Sequence, residues 1–510
     1  MYPTLTSEQV KRYTLALQVS ITAALVALWT FLARDSLLNS DDVLYAQMAR
    51  ESFESGRFMD HSWMGVTLFE KPPLLLWLLQ LSGATFGFSD AAMRLPAALG
   101  AALTVVYTFK VARHLHGDDT EARKWPWIAG ALLLSSWTFA DSGGRVMTDT
   151  LLSASVMAMV YYALRMEKLG GRAGATGLGL AAGLGFMAKS FALGPAALVV
   201  ACFLGWRRRW KGLFWSVGIA ALLVLPWHVL MSVRHGVEFW EVYVGYHVLG
   251  RAEGIAVGSH GQDYYVSEMV GTDPVVAVVL FLGFLGVLFQ SIFRRDQKLV
   301  LPLSVAVVGL IFLHASQTKF LHYLLPYIPL MAVVAVIGVS RLPGRKLGFG
   351  LMVCGILLSA VGYSQTEPHA SYRPELRVLA EAYVLPSPPE TRIVAFNEYA
   401  PAFFYYGEKV GEIWTDSERF YSIQQSIDMM RRSGIVHMAT DEGLNELRQE
   451  TRGMILIAPH RPMESQVKER QENPMSRVLQ RLLSGFYSDK RDVSWHREAS
   501  HLIVTVGRLR

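Results

Sequence analysis

Apolar blocks free of charge and long enough to cross a bilayer recur through the first 363 residues, and they leave this chain few folds. Leu15–Ala33 contains no Asp, Glu, Lys or Arg, and as a helix it reaches across about 30 Å of hydrocarbon. Hydrocarbon offers backbone N–H and C=O groups no partner outside their own helix, so a chain built from such blocks is an all-α polytopic bundle. The composition agrees: 52% of the residues are hydrophobic and 18% charged, against about 25% charged in soluble domains. Cys202 and Cys354, the two cysteines, both lie inside apolar runs. No disulfide framework follows from them. The N-terminal segment lacks a small-residue cleavage site before its apolar block, which predicts an uncleaved first span.

The blocks predict about eleven or more transmembrane helices, near 13–34, 95–112, 125–141, 149–164, 175–187, 191–206, 213–233, 274–293, 299–316, 323–340 and 347–363. Basic residues decide their orientation. Lys11/Arg12, Lys110/Arg113, Arg165/Lys168/Arg172, Arg207–Arg209 with Lys211, Arg294/Arg295/Lys298 and Arg341/Arg345/Lys346 fall in every second connection, the mark of a cytoplasmic face. The other connections, and everything after Tyr363, are then expected outside. Residues 1–363 read as a transmembrane domain. Residues 364–510 read as a small extracytoplasmic α/β domain, with β-like runs at 392–396, 434–439, 454–457 and 501–506 and helical patterns at 417–432 and 441–450.

Polar residues gather in the outer connections. Asp41 and Asp42 follow Ser40 at the start of a helical stretch. Tyr45, Met48 and Phe53 fall along one face of it and Gln47, Arg50 and Glu54 along another, which predicts a helix lying in the membrane interface. Glu70-Lys71-Pro72-Pro73 forms a rigid corner, and Leu74–Phe88 after it is apolar but short, a second interfacial helix. Asp149, Lys189, His247, Arg251, His260, Lys319, His322 and Tyr323 complete the outer set. Lys189 sits within an apolar stretch, so it occupies a short outer turn or is buried with an anionic partner.

Asp41-Asp42-Val43-Leu44-Tyr45-Ala46, Glu70-Lys71-Pro72-Pro73-Leu74, Arg94-Leu95-Pro96, Asp149-Thr150-Leu151-Leu152, Gly185-Phe186-Met187-Ala188-Lys189 and Lys319-Phe320-Leu321-His322-Tyr323-Leu324-Leu325-Pro326 together resemble the type C glycosyltransferases. The likeness is to the bacterial protein-mannosyltransferase and lipid A aminoarabinose-transferase branch, and it runs over roughly residues 10–345. The resemblance implies a multi-pass enzyme of a bacterial inner membrane. Such an enzyme takes a sugar from a polyprenyl-phosphate carrier and passes it to lipid A or lipopolysaccharide, another envelope glycan, or a protein hydroxyl. It implies Asp41 at the reaction centre and Glu70 and Lys71 along the donor site, and it matches Asp149, Lys189, His247, Arg251 and Tyr323 to further positions. The aminoarabinose branch carries Arg two residues after the acidic pair, where this chain has Leu44.

The chemistry fits these residue types. A departing phosphate gains negative charge, which cations stabilise; Lys71, Lys189, Lys319 and Arg251, with Tyr323, are the expected phosphate binders. Asp41, Asp42, Glu70 and Asp149 are the expected catalytic carboxylates, Asp41 being the base for an acceptor hydroxyl. The sequence singles out no certain cofactor. A divalent metal is an open alternative, with Glu70, His247, His260 and His322 as ligand types. The bland alternatives are an N-cap role for Asp41-Asp42, a surface ion pair for Glu70-Lys71 and a snorkelling Lys189. The expected partners are the lipid-linked sugar, its acceptor and membrane lipids, with no nucleic acid. A transporter or flippase, or a non-catalytic envelope-assembly subunit, is the competing reading. No internal repeat of the transporter kind is visible, and the charges crowd on one face.

Overall fold

The computed structural model describes residues 7–31, 36–38, 41–116, 124–169, 171–250, 260–274, 276–281, 283, 287, 299–341, 344–363, 374–396, 401–415, 436–438, 440–449, 453–459, 493–498 and 501–506. The chain forms two compact units, one of Met1–Arg34 with Phe69–Pro368 and one of Asp35–Leu68 with His369–Arg510.

The first unit is helical. Among the described residues three helical stretches are long and apolar enough to cross a membrane: Asp90–His116, Arg172–Trp206 and Trp210–Gly250. Helices Ser7–Phe31, Asp149–Leu169, Val300–Ala315, Ile328–Ser340 and Arg345–Tyr363 accompany them. Small residues bring these helices close, as apolar helices in lipid require. A Cβ on Gly179 would stand 2.5 Å from the Ser216 carbonyl oxygen, so the helix carrying Gly179 tolerates no side chain there. Two polar devices repair the backbone. Pro96, inside Asp90–His116, has no N–H to give the Ala92 carbonyl; the Ser82 hydroxyl, from helix Leu74–Phe86, donates to that oxygen at 2.6 Å. Helix Trp137–Gly143 is capped by the buried Asp273 carboxylate, which accepts from Ser136 Oγ at 2.9 Å, Trp137 N at 2.5 Å and Thr138 N at 3.1 Å. A carboxylate at a helix N-terminus meets orphan N–H groups and the positive end of the dipole.

The stretch Arg172–Trp206 is broken at its middle. Ser190 has φ 54° and ψ −133°, a left-handed backbone that a serine rarely adopts. A Cβ on Gly185 would lie 3.0 Å from Leu193, although eight residues of straight helix span about 12 Å. The chain therefore folds back beside Lys189, at the junction where the sequence predicts a turn between two spans. The expected span at 274–293 falls largely outside the described residues.

The second unit is built on a six-stranded sheet: β3 (Arg392–Phe396), β4 (Glu412–Thr415), β5 (Val436–Met438), β6 (Met454–Pro459), β7 (Val493–Glu498) and β8 (His501–Val506), in the order β5-β4-β3-β6-β8-β7. The four strands β5, β4, β3 and β6 run parallel, and the β7–β8 hairpin closes one side antiparallel. β1 (Ser62–Trp63) and β2 (Val66–Thr67) form a separate hairpin. Arg392 grips Glu412 with two hydrogen bonds, of 2.9 and 2.7 Å, which ties β3 to β4 through side chains as well as the ladder. Helix Asp441–Gln449 lies within the predicted 441–450, while the helical pattern at 417–432 lies outside the described residues.

One expectation is corrected here. Helix Asp41–Glu54 is not a two-faced interfacial helix, because Val43, Leu44, Tyr45, Ala46, Gln47, Met48 and Ala49 are all buried while Phe53 is exposed. It packs on helix Pro401–Tyr406 of the same unit. Arg50 lies over the Tyr405 ring, 4.5 Å from its centroid, and donates to the Tyr405 carbonyl at 2.5 Å. Leu37 N donates to the Tyr406 hydroxyl at 2.8 Å. Gln47, assigned to the polar face by periodicity, bridges the Glu51 carboxylate and the Trp63 indole.

Candidate active site

A cavity of about 300 Å³ in the helical unit collects six of the residues singled out by sequence: Glu70, Lys71, Asp149, Lys189, His247 and Tyr323. Each stands where a helix starts, stops or breaks. The Pro72-Pro73 corner presents Glu70 and Lys71 immediately before helix Leu74–Phe86. Asp149 is the first residue of its helix, and Lys189 is the last before the Ser190 break. Tyr323 lies on the short turn Leu321–Leu324 and His247 on the π-helical turn Glu241–Gly250. Phe191, Val248, Leu249, Phe312 and Leu313 make the wall largely apolar.

The polar end of the cavity is organised by one ion pair. Lys189 Nζ stands 2.5 Å from Asp149 Oδ1, with both side chains nearly buried at 11% and 5% exposure. The same ammonium lies 4.4 Å from the centre of the Tyr323 ring. Lys71 and His322 stand close enough to act on the Asp149 carboxylate through space. Of the two readings left open for Lys189, the structure gives the buried one, with an anionic partner. Asp149 is thereby engaged in holding a cation.

The other predicted residues among those described do not line the cavity. Lys319 is fully buried and does not line the cavity; its ammonium donates to the carbonyls of Ser316 at 2.6 Å and His260 at 3.1 Å, clasping two loops together. His260 stacks on Tyr264 at 4.2 Å, and His322 stacks on Phe320 at 5.5 Å. Arg251 is outside the described residues. Among the described residues no group of three or more His, Cys, Asp or Glu is arranged to hold a metal ion; Glu70 and His247 share the cavity, and His260 does not line it. Asp41, exposed, and Asp42, buried, form the first turn of their helix in the other unit.

Sequence reasoning passed over Ser190, Tyr243, Thr318 and Tyr327, which also line the cavity. Hydroxyl residues inside apolar runs look like ordinary interface anchors, so no pattern marked them. It also passed over two titratable groups of the sheet unit. Glu51 accepts from Gln47 Nε2 at 2.7 Å and faces Gly65 N at 3.4 Å; burial, the larger effect, pushes its carboxyl up to about 7. His61 is buried, with no hydrogen-bond partner at Nε2 among the described residues, and burial pushes its imidazole down to about 4.

Comparison with known proteins bears on this arrangement. Residues 70–231 match the family model described as dolichyl-phosphate-mannose-protein mannosyltransferase. The fold is similar to that of crystalline ArnT from Cupriavidus metallidurans bound to undecaprenyl phosphate, with a TM-score of 0.73 at 16% identity, covering 96% of this chain and 97% of that one. It is less similar to the archaeal oligosaccharyltransferase AglB from Archaeoglobus fulgidus, with a TM-score of 0.55 at 10% identity over 88% and 69% of the two chains. The chain therefore shares its fold with these solved structures, and residues 70–231 carry the likeness to the mannosyltransferase family model.

Its sequence is similar to the bacterial undecaprenyl phosphate-alpha-4-amino-4-deoxy-L-arabinose arabinosyl transferases. The Pseudomonas fluorescens (strain Pf0-1) protein of that name is 26% identical over 355 residues, 66% of this chain and 62% of the relative. The match thus spans less than two thirds of that relative's length.

Proposed function

We propose that this protein transfers a sugar from a polyprenyl monophosphate carrier to an acceptor at the outer face of a bacterial inner membrane. The observation that carries this is the cavity itself, which sets Glu70, Lys71 and the Lys189–Asp149 pair against a largely apolar wall. That combination suits a ligand with an anionic head and a hydrocarbon body. In the reaction the sugar–oxygen bond to phosphate breaks, the carrier leaves as polyprenyl phosphate with added charge, and the acceptor oxygen bonds to the sugar. Preorganised cations lower the cost of that charge. Lys71 and Lys189 take this role, with Asp149 holding Lys189 in place. An acceptor hydroxyl needs a base to take its proton, the role the sequence suggests for Asp41; a phosphate acceptor has no proton to lose.

The acceptor is lipid A or another envelope glycolipid, a glycan, or a protein hydroxyl. Basic residues in every second connection support about eleven spans with the sheet unit outside, where nucleotide sugars are not supplied. Each buried methylene of the carrier contributes about 0.8 kcal/mol, so the lipid should bind far better than its soluble sugar phosphate. In detergent, the melting temperature of the purified protein should rise with polyprenyl phosphate and stay unchanged with nucleotide sugars. Efficient transfer from a nucleotide sugar without any lipid carrier would overturn the reading.

A further inference from the structure

We infer that Tyr243, set by His228, is the residue that reads the carried sugar, accepting a hydrogen bond from one of its hydroxyl or amino groups; this rests on the donor reading above. Tyr243 lines the cavity, and its ring is fixed by Phe239, stacked at 4.9 Å and 15°, with Trp227 and Phe191 at 6.1 and 6.2 Å. Its hydroxyl lies 3.0 Å from His228 Nε2. On the other side of that imidazole, Nδ1 lies 2.8 Å from the Val224 carbonyl oxygen.

A carbonyl can only accept, so Nδ1 carries the proton, and in the neutral imidazole Nε2 holds a lone pair. The Tyr243 proton is then committed to Nε2. What remains on the phenol oxygen, shared with the Ser190 hydroxyl, is acceptor capacity, which repels a phosphate oxygen and suits an O–H or N–H donor. The Ser190 hydroxyl lies beside the same phenol, next in sequence to Lys189 and in a left-handed backbone. Residues in such sparsely populated conformations cluster at functional sites. The cavity thus offers phosphate the lysines Lys71 and Lys189, set among the carboxylates Glu70 and Asp149, and offers the sugar an acceptor.

Tyr243→Phe keeps the ring and removes the oxygen. The probes are polyprenyl phosphate and its mannosyl, glucosyl and 4-amino-4-deoxy-arabinosyl esters, titrated against purified protein. The wild type should prefer at least one ester over the bare lipid phosphate. In Tyr243→Phe that preference should fall about three- to tenfold, the worth of one neutral hydrogen bond, with affinity for the bare phosphate unchanged. His228→Phe frees the phenol proton and should erode the same preference, with no further loss when combined with Tyr243→Phe. A wild type that prefers no ester, a preference that survives Tyr243→Phe, or an equal loss for esters and bare phosphate would each overturn the inference. A wild type that binds none of these lipids would remove the donor reading, and this inference with it.

Discussion

Asp149 and Lys189 illustrate how much one buried pair decides. Removing one partner of such a pair strands the other charge and costs about 3–5 kcal/mol, whereas replacing both with apolar side chains is often neutral. Lys189→Met should therefore lower the melting temperature sharply, and Asp149→Leu with Lys189→Met should restore most of the loss without restoring transfer. A Lys189→Met protein that melts like the wild type would show that the pair does not hold the site together. A second residue-scale test lies in the sheet unit. Glu51, raised from 4.5 to about 7, favours folding when protonated, so its contribution fades as pH rises through that window. His61, lowered from 6.5 to about 4, works oppositely and costs stability as pH falls from 6.5 to 4. Between pH 4.5 and 6.5 the two slopes oppose each other. Glu51→Gln should expose the His61 slope alone, and its melting temperature should fall from pH 6.5 towards 4 more steeply than that of the wild type. Matching profiles would contradict the assignment. The cavity charges were legible in the sequence because a Lys or Asp inside an apolar run is costly and stands out. Tyr243 and Ser190 were not, because nothing in their spacing separates them from membrane-interface packing.

At the scale of elements, Ser82 and Pro96 make a reciprocal pair that can be taken apart. Ser82→Ala leaves the Ala92 carbonyl unsatisfied and should cost about 1–3 kcal/mol. Pro96→Ala restores an N–H in register with that carbonyl. Introduced into Ser82→Ala, it should recover melting temperature rather than lose more. Additive losses in the double variant would mean that the hydroxyl has another role. Apolar block length located Asp90–His116 and Asp149–Leu169 to within a few residues, because a bilayer fixes how long such a block must be. The strands were partly visible: β3, β5, β6 and β8 fall on runs read as β-like, while Glu412-Ile413-Trp414-Thr415 and Val493-Ser494-Trp495-His496-Arg497-Glu498 carry too many polar residues to read as strands alone. Helix Asp41–Glu54 was misread because its cover, Pro401–Tyr406, lies some 350 residues further along the chain. Periodicity reports which faces differ, and it does not report what arrives to bury them.

For the molecule as a whole, the two units divide the chain differently from its hydropathy. Residues Asp35–Leu68, between the first and second expected spans, group with the C-terminal residues in one compact unit. No sequence pattern announces that grouping, since it rests on contacts such as Arg50 on Tyr405 and Leu37 on Tyr406. The helical unit was foreseeable from apolar blocks, because their length follows from the bilayer as a solvent. The central claim, transfer of a sugar from a polyprenyl phosphate, is tested most directly by mass spectrometry of lipid extracts and envelope glycans from cells with and without the protein. Loss of the protein should make one polyprenyl-phosphate sugar accumulate and strip that same sugar from one envelope glycan, glycolipid or glycoprotein, and Lys71→Ala should reproduce both changes. An unchanged pool of lipid-linked sugars beside an unchanged envelope would contradict the account.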